Sequence, residues 1–241
     1  MKHLFLKAQA RLAPLRKWRK AARKTLATEK PNLSYSQEGE DLVLSRIFGS
    51  QRNGFYVDIG AHHPFRFSNT AIFYRRGWRG INIDPLPGTT KLFDKYRAGD
   101  INLEIGVGAS SGQLTYYMFN DPAVNTFDKE LAEVCEKTGE FTRIGDKTVE
   151  VLPLSVILDR HLPLDQQIDF MTIDAEGLDF DVLQSNDWNR YSPTIIVLES
   201  LSTADSIEGT LAAPSVVFLA EHDYQLVGKT VNSVFLKKCA P

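Results

Sequence analysis

The feature that most constrains this chain is a regular alternation of short apolar runs with stretches of helical spacing. The runs GFYVDIG, GINID, IDFMTID and TIIVLES are typical of buried strands, and a helical stretch follows each of them. Parallel strands need such crossover connections, so the alternation predicts a mostly parallel sheet covered on both faces. The closing segment YQLVGKTVNSVFLKK predicts two strands with a turn near Gly228. Because this connection is too short for a crossover, the pair must be antiparallel.

The same patterns predict where the individual elements lie. Ser36 is expected to cap the first helix of the alternating region, and Gly49 to end it. Helices are predicted over residues 37–49, 68–76, 88–98, 125–137 and 178–185, and near 210–222. Strands are predicted over residues 54–60, 80–84, 101–108, 113–119, 147–154, 168–174 and 194–200, and within 224–238.

The N-terminal segment differs from the rest of the chain in charge. Residues 1–30 hold ten Lys and Arg against one acid, whereas the remaining residues hold 18 basic and 29 acidic side chains. Residues 2–27 have a thin apolar stripe typical of an amphipathic helix, which Pro14 would kink. We predict a basic helical arm over 1–30 and one domain over 31–241. The arm either meets an anionic membrane through residues 1–27 or packs on the domain or a partner subunit.

Composition argues against several classes of protein. The acidic body argues against nucleic acid as a partner. Cys135 and Cys239 lack the spacing of a zinc site or a disulfide framework, which fits a reducing cytoplasm. No run approaches the roughly 18 apolar residues of a membrane span, and no secretory signal is evident. We therefore expect a cytoplasmic protein, with the arm at the inner face of the membrane in the first alternative.

Acidic residues stand at or near the exits of five predicted strands. In open α/β sheets, ligands bind at the carboxyl ends of the strands. An acid after the second strand takes ribose hydroxyls in nucleotide-binding folds, and Asp84 lies 24 residues after Gly60, close to the usual spacing. Five acids together favour a cationic or hydroxyl-rich ligand. They are Asp58, Asp84, Glu104, Asp174 with Glu176, and Glu199.

The first predicted turn indicates which nucleotide is bound. A dinucleotide cofactor needs G-x-G-x-x-G for its pyrophosphate, but GAHHPF holds only Gly60. The stretch GVGASSG precedes an alternating strand rather than a helix, and is interpreted as a turn. S-adenosylmethionine has adenine and ribose without phosphate, and its sulfonium and amino group suit an acidic pocket.

Four segments stand in order along residues 34–238: SYSQEGEDLVLSRIFG, FYVDIGAHHPFRFSNTAIFYRRGWRGINIDP, IDFMTIDAEGLDFDVLQS and NSVFLKK. Together they resemble the FkbM-type S-adenosylmethionine-dependent methyltransferases. The resemblance implies a Rossmann-like class I methyltransferase fold, with a mostly parallel seven-stranded sheet and an antiparallel C-terminal strand. It also implies O-methylation of a hydroxyl on a sugar, a glycan or a secondary metabolite, with S-adenosylmethionine as the methyl donor.

The resemblance further implies roles for eight cofactor-binding residues. Asp58 and Gly60 lie along the methionine part, Asp84 takes the ribose hydroxyls, Ile105 and Gly106 lie near the adenine, and Gln37, Glu40 and Asp41 close over the cofactor. The chain departs from the commonest family pattern at His62 and His63, so recognition of the methionine tail stays open there.

A hydroxyl acceptor needs a base, and four residues are candidates: His62, His63, Asp174 and Glu176. The histidines are equally well interpreted as polar residues of a loop. A catalytic or substrate-binding role is favoured for Asp174. A divalent metal on Asp174, Glu176 and Asp179 is a less favoured alternative, because Glu176 or Asp179 would equally cap the next helix.

Two other functions share these features. An NAD-dependent oxidoreductase would use the same sheet and Asp84, but the glycine fingerprint is missing. A non-catalytic ligand-binding domain is the second alternative. The sequence specifies neither the methyl acceptor nor the oligomeric state.

Overall fold

A computed structural model describes residues 32–199 and 206–239 of the chain. Its strands are β1 (Phe55–Ile59), β2 (Arg79–Ile83), β3 (Ile101–Leu103), β4 (Gly106–Val107), β5 (Gly112–Phe119), β6 (Arg143–Leu152), β7 (Phe170–Ile173), β8 (Ile195–Glu199), β9 (Tyr224–Lys229) and β10 (Ser233–Lys238). Its α-helices are α1 (Glu40–Phe48), α2 (Ala71–Arg75), α3 (Thr89–Tyr96), α4 (Lys129–Thr138), α5 (Leu154–His161), α6 (Asp179–Gln184), α7 (Ile207–Leu211) and α8 (Pro214–Glu221). A 3₁₀ turn covers Pro122–Val124.

Seven strands form the main sheet, in the order β3-β2-β1-β7-β8-β10-β9. The first five strands pair in parallel, and β10 runs antiparallel to both of its neighbours. The predicted α/β fold with one antiparallel strand near the C-terminus is therefore confirmed. The described elements all lie in one compact unit that begins at Ser34.

Alternate residues of the central strands pack into two separate cores. Val57, Ile59 and Met171 belong to a large aliphatic core on one face of the sheet. Tyr56 and Phe170, which alternate with them, belong to an aromatic core on the other face. Since successive side chains of a strand point to opposite faces, a strand buried on both faces must be apolar throughout. This explains why the central strands appear in the sequence as continuous apolar runs.

The predicted single strand over residues 101–108 is wrong. The chain forms β3 at the edge of the main sheet, leaves it at Glu104, and forms β4 in a second sheet of order β4-β6-β5. The Glu104 carboxylate, which accepts a hydrogen bond from the Gly88 N–H at 2.7 Å, holds this departure point. Strand β5 lies where alternation predicted a half-exposed strand.

Helix boundaries differ from the predictions where side chains compete with the backbone. Helix α1 ends at Gly49 as predicted but begins at Glu40, because Gly39 has a positive φ of 87°. The side chain of Asp41 accepts bonds from Ser34, Ser36 and the Tyr35 N–H, which winds the preceding segment into a turn. The sequence analysis missed helix α5, and the helix predicted near 210–222 forms the two short helices α7 and α8.

The C-terminal hairpin turns later than predicted. Its turn is closed by the Thr230 N–H, which donates to the Ser233 carbonyl at 2.9 Å. Gly228 lies inside β9 and pairs with Phe235 at a shift of register. A bulge, rather than the turn, therefore accounts for this glycine.

The predicted basic arm over residues 1–30 lies outside the described residues. Within the described residues, no helix is long and apolar enough to cross a membrane.

Candidate functional site

A cavity opens at the carboxyl ends of β1, β2 and β7, where the sheet order predicts a ligand site. It encloses about 730 Å³, counting the space at its open mouth. Eight of the twelve candidate residues line it: Gln37, Gly60, His62, Asp84, Ile105, Gly106, Asp174 and Glu176. The other four are His63, Asp58, Glu40 and Asp41.

Gly60 forms the turn at the end of β1, against the end of β7. Its φ is +77°, and its N–H donates to the Ile83 carbonyl at 2.9 Å. A Cβ atom at this position would stand 1.7 Å from the backbone oxygen of Asp174. Only glycine lets the two strand ends meet here, so Gly60 fixes the floor of the cavity.

Asp84 is buried at the end of β2, and two backbone N–H groups orient its carboxylate. His62 donates to Oδ2 at 2.6 Å and Leu86 donates to Oδ1 at 2.8 Å. Burial raises the pKa of Asp84, and the bonds from Leu86 and His62 oppose that rise. The Thr89 hydroxyl adds a long bond of 3.5 Å to Oδ1, and the carboxylate, which lines the cavity, keeps acceptor capacity because it offers about four lone-pair sites.

Asp58 is not part of the wall of this cavity. It is buried in β1, and its Oδ2 accepts a 2.5 Å hydrogen bond from the Thr70 hydroxyl. Burial raises the pKa of Asp58 to about 6, opposed by the Thr70 bond and by the charge of Arg97. Asp58 thus lies under the turn in this structure, and its implied contact with the methionine part of the cofactor stays a prediction.

Arg97 is fully buried and holds the loop after β1. Its guanidinium donates to the Pro64 carbonyl and to the hydroxyls of Ser68 and Thr70, at 2.6–2.7 Å. The sequence analysis missed this residue, because it follows α3 and lies far from the loop in sequence. A lone arginine after an amphipathic helix is usually exposed.

The two histidines differ in position. His62 lines the cavity with a positive φ of 51° and stacks on Phe67. Burial and the neighbouring Arg66 lower the pKa of His62 to about 4, so its imidazole is neutral at neutral pH. His63 lies outside the wall, and its Nδ1 accepts from the N–H groups of Phe65 and Arg66. Its loop interpretation fits the structure better than a role as base.

The segment before α1 contributes Gln37 to the wall. Glu40 and Asp41 at the start of α1, which were predicted to close over the cofactor with Gln37, form hydrogen bonds to other parts of the chain. Glu40 lies in a smaller neighbouring cavity, where Oε1 accepts from the Ser233 hydroxyl at 3.0 Å. Asp41 is fully buried and binds the turn of residues 34–36. Asp41 thus supports Gln37 rather than facing the cavity itself.

The far wall comes from the second sheet and its loops. Gly106 packs so closely that an added Cβ would stand 2.9 Å from the Phe127 ring. Tyr116, Asn125 and Phe127 also line this side, and the sequence analysis missed all three. The Asn125 side chain interacts with the Tyr116 hydroxyl, and its buried Nδ2 atom makes no hydrogen bond of normal geometry in the described chain. The aromatic alternation of QLTYYMF was the available signal for Tyr116.

Three carboxylates meet where the main cavity adjoins the smaller one. One oxygen each of Asp174, Glu176 and Glu199 lie within 4.8 Å of one another. Burial, with added repulsion from Glu199, raises the pKa of Asp174. The same two causes raise the pKa of Glu176 to about 8. Burial also raises the pKa of Glu199 to about 7. Such a cluster can hold a proton or a cation.

Asp179 does not belong to this cluster. Its Oδ1 accepts a 2.9 Å hydrogen bond from the Ala175 N–H at the start of α6. The cluster in the structure thus includes Glu199, from the end of β8, and not Asp179. The metal site considered from sequence on Asp174, Glu176 and Asp179 stays untested. Glu199 had been noted only as one of the acids at strand exits, because pairing of β7 with β8 was not part of the sequence argument.

The wall thus offers fixed hydrogen-bond acceptors at the end of β2, an apolar far side and an acidic floor. A comparison with family models matches residues 58–226 to the Methyltransferase FkbM domain, while a search of curated proteins gave no match. The matched segment runs from the end of β1 into β9 and covers well over half of the chain. The chain therefore belongs to the FkbM methyltransferase family.

Proposed function

We propose that the protein transfers a methyl group from S-adenosylmethionine to a hydroxyl oxygen of a small molecule or glycan. The observation that carries this proposal is the buried carboxylate of Asp84, which two backbone N–H groups aim at the cavity. A carboxylate fixed at the end of the second strand matches two adjacent ribose hydroxyls. Little reorganisation is needed on binding, because the acceptor atoms are already in place.

The far wall suits an adenine ring. Ile105, Gly106 and Phe127 provide an apolar surface of the kind that packs on a flat aromatic ring. The unpartnered Nδ2 of Asn125 provides a buried donor, and a ring nitrogen is the matching acceptor. A buried donor without a partner costs about 1–3 kcal/mol, so a ligand that accepts from it gains that free energy.

The turn after β1 disfavours a dinucleotide. Pyrophosphate binding uses backbone N–H groups at the N-terminus of a helix that follows the turn at once. Here α2 begins only at Ala71 and has five residues. The Asp84 carboxylate already takes the His62 N–H, one of the few donors that the turn offers. These features support a cofactor without phosphate over NAD.

When bound, S-adenosylmethionine supplies an electrophilic methyl group whose carbon–sulfur bond breaks with its electron pair left on sulfur. The acceptor oxygen forms the new bond to carbon and loses its proton to a residue of the wall. Three candidate bases border the cavity: His62, Asp174 and Glu176. His62 is neutral at neutral pH and can accept a proton, whereas the raised pKa values of the two carboxyl groups favour their protonated forms. Their common task is to orient the acceptor hydroxyl, since positioning supplies much of the rate of a displacement.

The neighbouring cavity supports a hydroxyl-bearing acceptor. It encloses about 330 Å³ and shares Gln37 and Asp174 with the main cavity. Asn69 and Thr172, which form a 2.9 Å hydrogen bond to each other, also line it. Amides and hydroxyls both donate and accept hydrogen bonds, and carboxylates accept them, so together these groups match sugar-like hydroxyl groups well.

Calorimetry with two cofactor types tests the proposal. The full chain is titrated separately with S-adenosylhomocysteine and with NAD, and methyl transfer from labelled S-adenosylmethionine is then measured on sugar and small-molecule acceptors. We expect binding of S-adenosylhomocysteine alone and labelling of a hydroxyl acceptor. Binding of NAD in its place would contradict the proposal, and labelling confined to amines would contradict the O-methyl assignment.

A further inference from the structure

The cluster of Asp174, Glu176 and Glu199 has no positive partner in the part of the chain that the structure describes. None of its carboxylates forms an ion pair with Lys, Arg or His across residues 32–199 and 206–239. The nearby charges are also acidic: Asp179 repels both glutamates, and Glu38 and Glu40 repel Glu199. The three residues are half-buried, and charges of one sign that are partly removed from water are costly unless something neutralises them.

Asp174 supplies an independent sign of a missing partner. Its Oδ1 atom is buried and has no hydrogen-bond partner in the described chain, although the same carboxyl group also bonds to the Glu199 side chain. The side chain lines both cavities, while Glu176 lines the larger and Glu199 the smaller. The unpartnered oxygen therefore lies at the junction that the other two carboxylates border. Buried polar atoms are almost always satisfied, so an unmatched acceptor here indicates a bound ligand.

We propose that Asp174, Glu176 and Glu199 bind one divalent cation, Mg²⁺ or Mn²⁺, between the two cavities. An all-oxygen set of carboxylates is the donor set that hard divalent cations take. Ligands at about 2.1 Å from a common ion lie at most roughly 4.2 Å apart. The three oxygens lie within 4.8 Å of one another, so small rotations of the side chains would bring all of them to one ion.

The position of this site between the two cavities suggests that the ion activates the acceptor hydroxyl, a role that rests on the proposed function. Three protein ligands leave open positions on an octahedral ion. Because the three carboxylates line the two cavities, a ligand in either cavity would be in reach of those positions. A cation at this point would bind the hydroxyl oxygen and lower the pKa of its proton. The acceptor class that fits is one whose hydroxyl reaches the ion, for example a sugar with adjacent hydroxyl groups.

Manganese titration of the full chain tests the site without any cofactor or acceptor. Protein treated with EDTA and desalted is titrated with Mn²⁺, and the signal of free aqueous Mn²⁺ is followed by electron paramagnetic resonance. Mg²⁺ is then added as a competitor. The variants are Glu199→Gln, Asp174→Asn and Glu176→Gln. The matched control is Glu104→Gln, which removes the same charge at the end of β3, where Lys147 and the Gly88 N–H hold the carboxylate.

We expect one Mn²⁺ per chain, displaced by Mg²⁺, with at least tenfold weaker binding in the three variants and unchanged binding in Glu104→Gln. Circular dichroism verifies that each variant is folded, and one folded cluster variant is enough for the comparison. Absence of stoichiometric Mn²⁺ binding would mean that a shared proton or an organic cation satisfies the cluster, and would overturn the proposal. Equal binding by a folded cluster variant would also overturn it.

Calorimetry with S-adenosylhomocysteine on the same EDTA-treated protein separates this proposal from the previous one. Cofactor binding without Mn²⁺ binding would leave the methyltransferase function standing and remove the cation site. Mn²⁺ binding without cofactor binding would leave the cation site standing and remove the methyltransferase function.

Discussion

Gly60 and Asp84 stand at the ends of two neighbouring strands. The surrounding backbone restricts the residue type at position 60 and the orientation of the side chain at position 84. Gly60 meets the backbone of β7, while Asp84 accepts the N–H of His62 from the turn that Gly60 begins. The turn and the carboxylate therefore hold each other in place. Changes at these two residues are expected to act on different quantities, namely fold stability for Gly60 and ligand affinity for Asp84.

Replacement of Asp84 by alanine is expected to weaken binding of S-adenosylhomocysteine by about 1.5–3 kcal/mol, or roughly 10- to 150-fold. The physical reason is the loss of a charged acceptor for two hydroxyl groups. Isothermal titration calorimetry measures the change, with Glu150→Gln, an exposed carboxylate of β6, as the control for the loss of a negative charge. An Asp84→Ala protein with unchanged affinity would return Asp84 to a purely structural role.

Replacement of Gly60 by alanine is expected to destabilise the fold by at least about 3 kcal/mol, because overpacking and a positive φ both act against a side chain. Gly112→Ala is the matched control, since an added Cβ there meets nothing within 4 Å. Urea unfolding of both variants measures the difference. A Gly60→Ala variant as stable as Gly112→Ala would show that the ends of β1 and β7 can separate.

At the scale of elements, a buried polar network joins β1, the loop after it and the segment after α3. Arg97 donates to Thr70, and Thr70 donates to Asp58. The loop that carries His62 is thus tied to the sheet from beneath. No sequence pattern predicts the network, because its members are 12 and 27 residues apart and each alone is compatible with the surface.

Asp58 should give this network a measurable pH dependence. Its carboxyl has a pKa near 6 when folded, against about 4 when unfolded. Between these values the native state binds a proton that the unfolded chain has released, so this group lowers stability as pH rises from 4 to 6. Above pH 6 the loss stays constant, at about 3 kcal/mol.

The test compares the wild type with Asp58→Asn, which cannot ionise. We expect the stability of the variant relative to the wild type to increase by up to about 3 kcal/mol between pH 4 and pH 7.5, as measured by urea unfolding. A difference that does not vary over this range would place the folded pKa of Asp58 near its ordinary value.

The central strands and the family could be predicted from sequence because each rests on a local pattern. The run FYVDIG predicts β1 by itself, and four motifs in order indicate the family. The split between β3 and β4 could not be predicted, since both halves are apolar and only the pairing partner differs. The same limit applies to the grouping of Glu199 with Asp174, which depends on the pairing of β7 with β8. Local sequence patterns therefore do not specify which strands pair with each other.

At the scale of the whole molecule, the basic arm over residues 1–27 is predicted to be dispensable for folding and cofactor binding. Lysines and arginines contribute about 1 kcal/mol each near an anionic surface, and an amphipathic helix lies on a membrane without spanning it. We propose that the arm brings the protein to anionic membranes, and the alternative is packing on the domain or on a partner subunit.

Co-sedimentation separates these alternatives. The full chain and a chain that begins at Thr28 are mixed with anionic and with neutral vesicles. We expect the full chain to pellet with anionic vesicles and not with neutral ones, and the shorter chain to pellet with neither. Pelleting of the full chain should decrease at high salt, because salt screens exposed charges. Equal pelleting of both proteins would exclude the membrane role. Equal affinity of both for S-adenosylhomocysteine would show that the arm is not needed for binding.

The last strand of the chain is not at the edge of the main sheet, since β10 lies between β8 and β9. Its first residues also hold the segment next to the cavity: Ser233 donates to Glu40, and the Asn232 N–H donates to Glu38. During synthesis, all the other strands leave the ribosome before β10 does. Until then β9 has no partner in the sheet, and the segment that carries Gln37 lacks these two bonds. The wall that carries Gln37 is therefore held in place only after β10 has paired with β8.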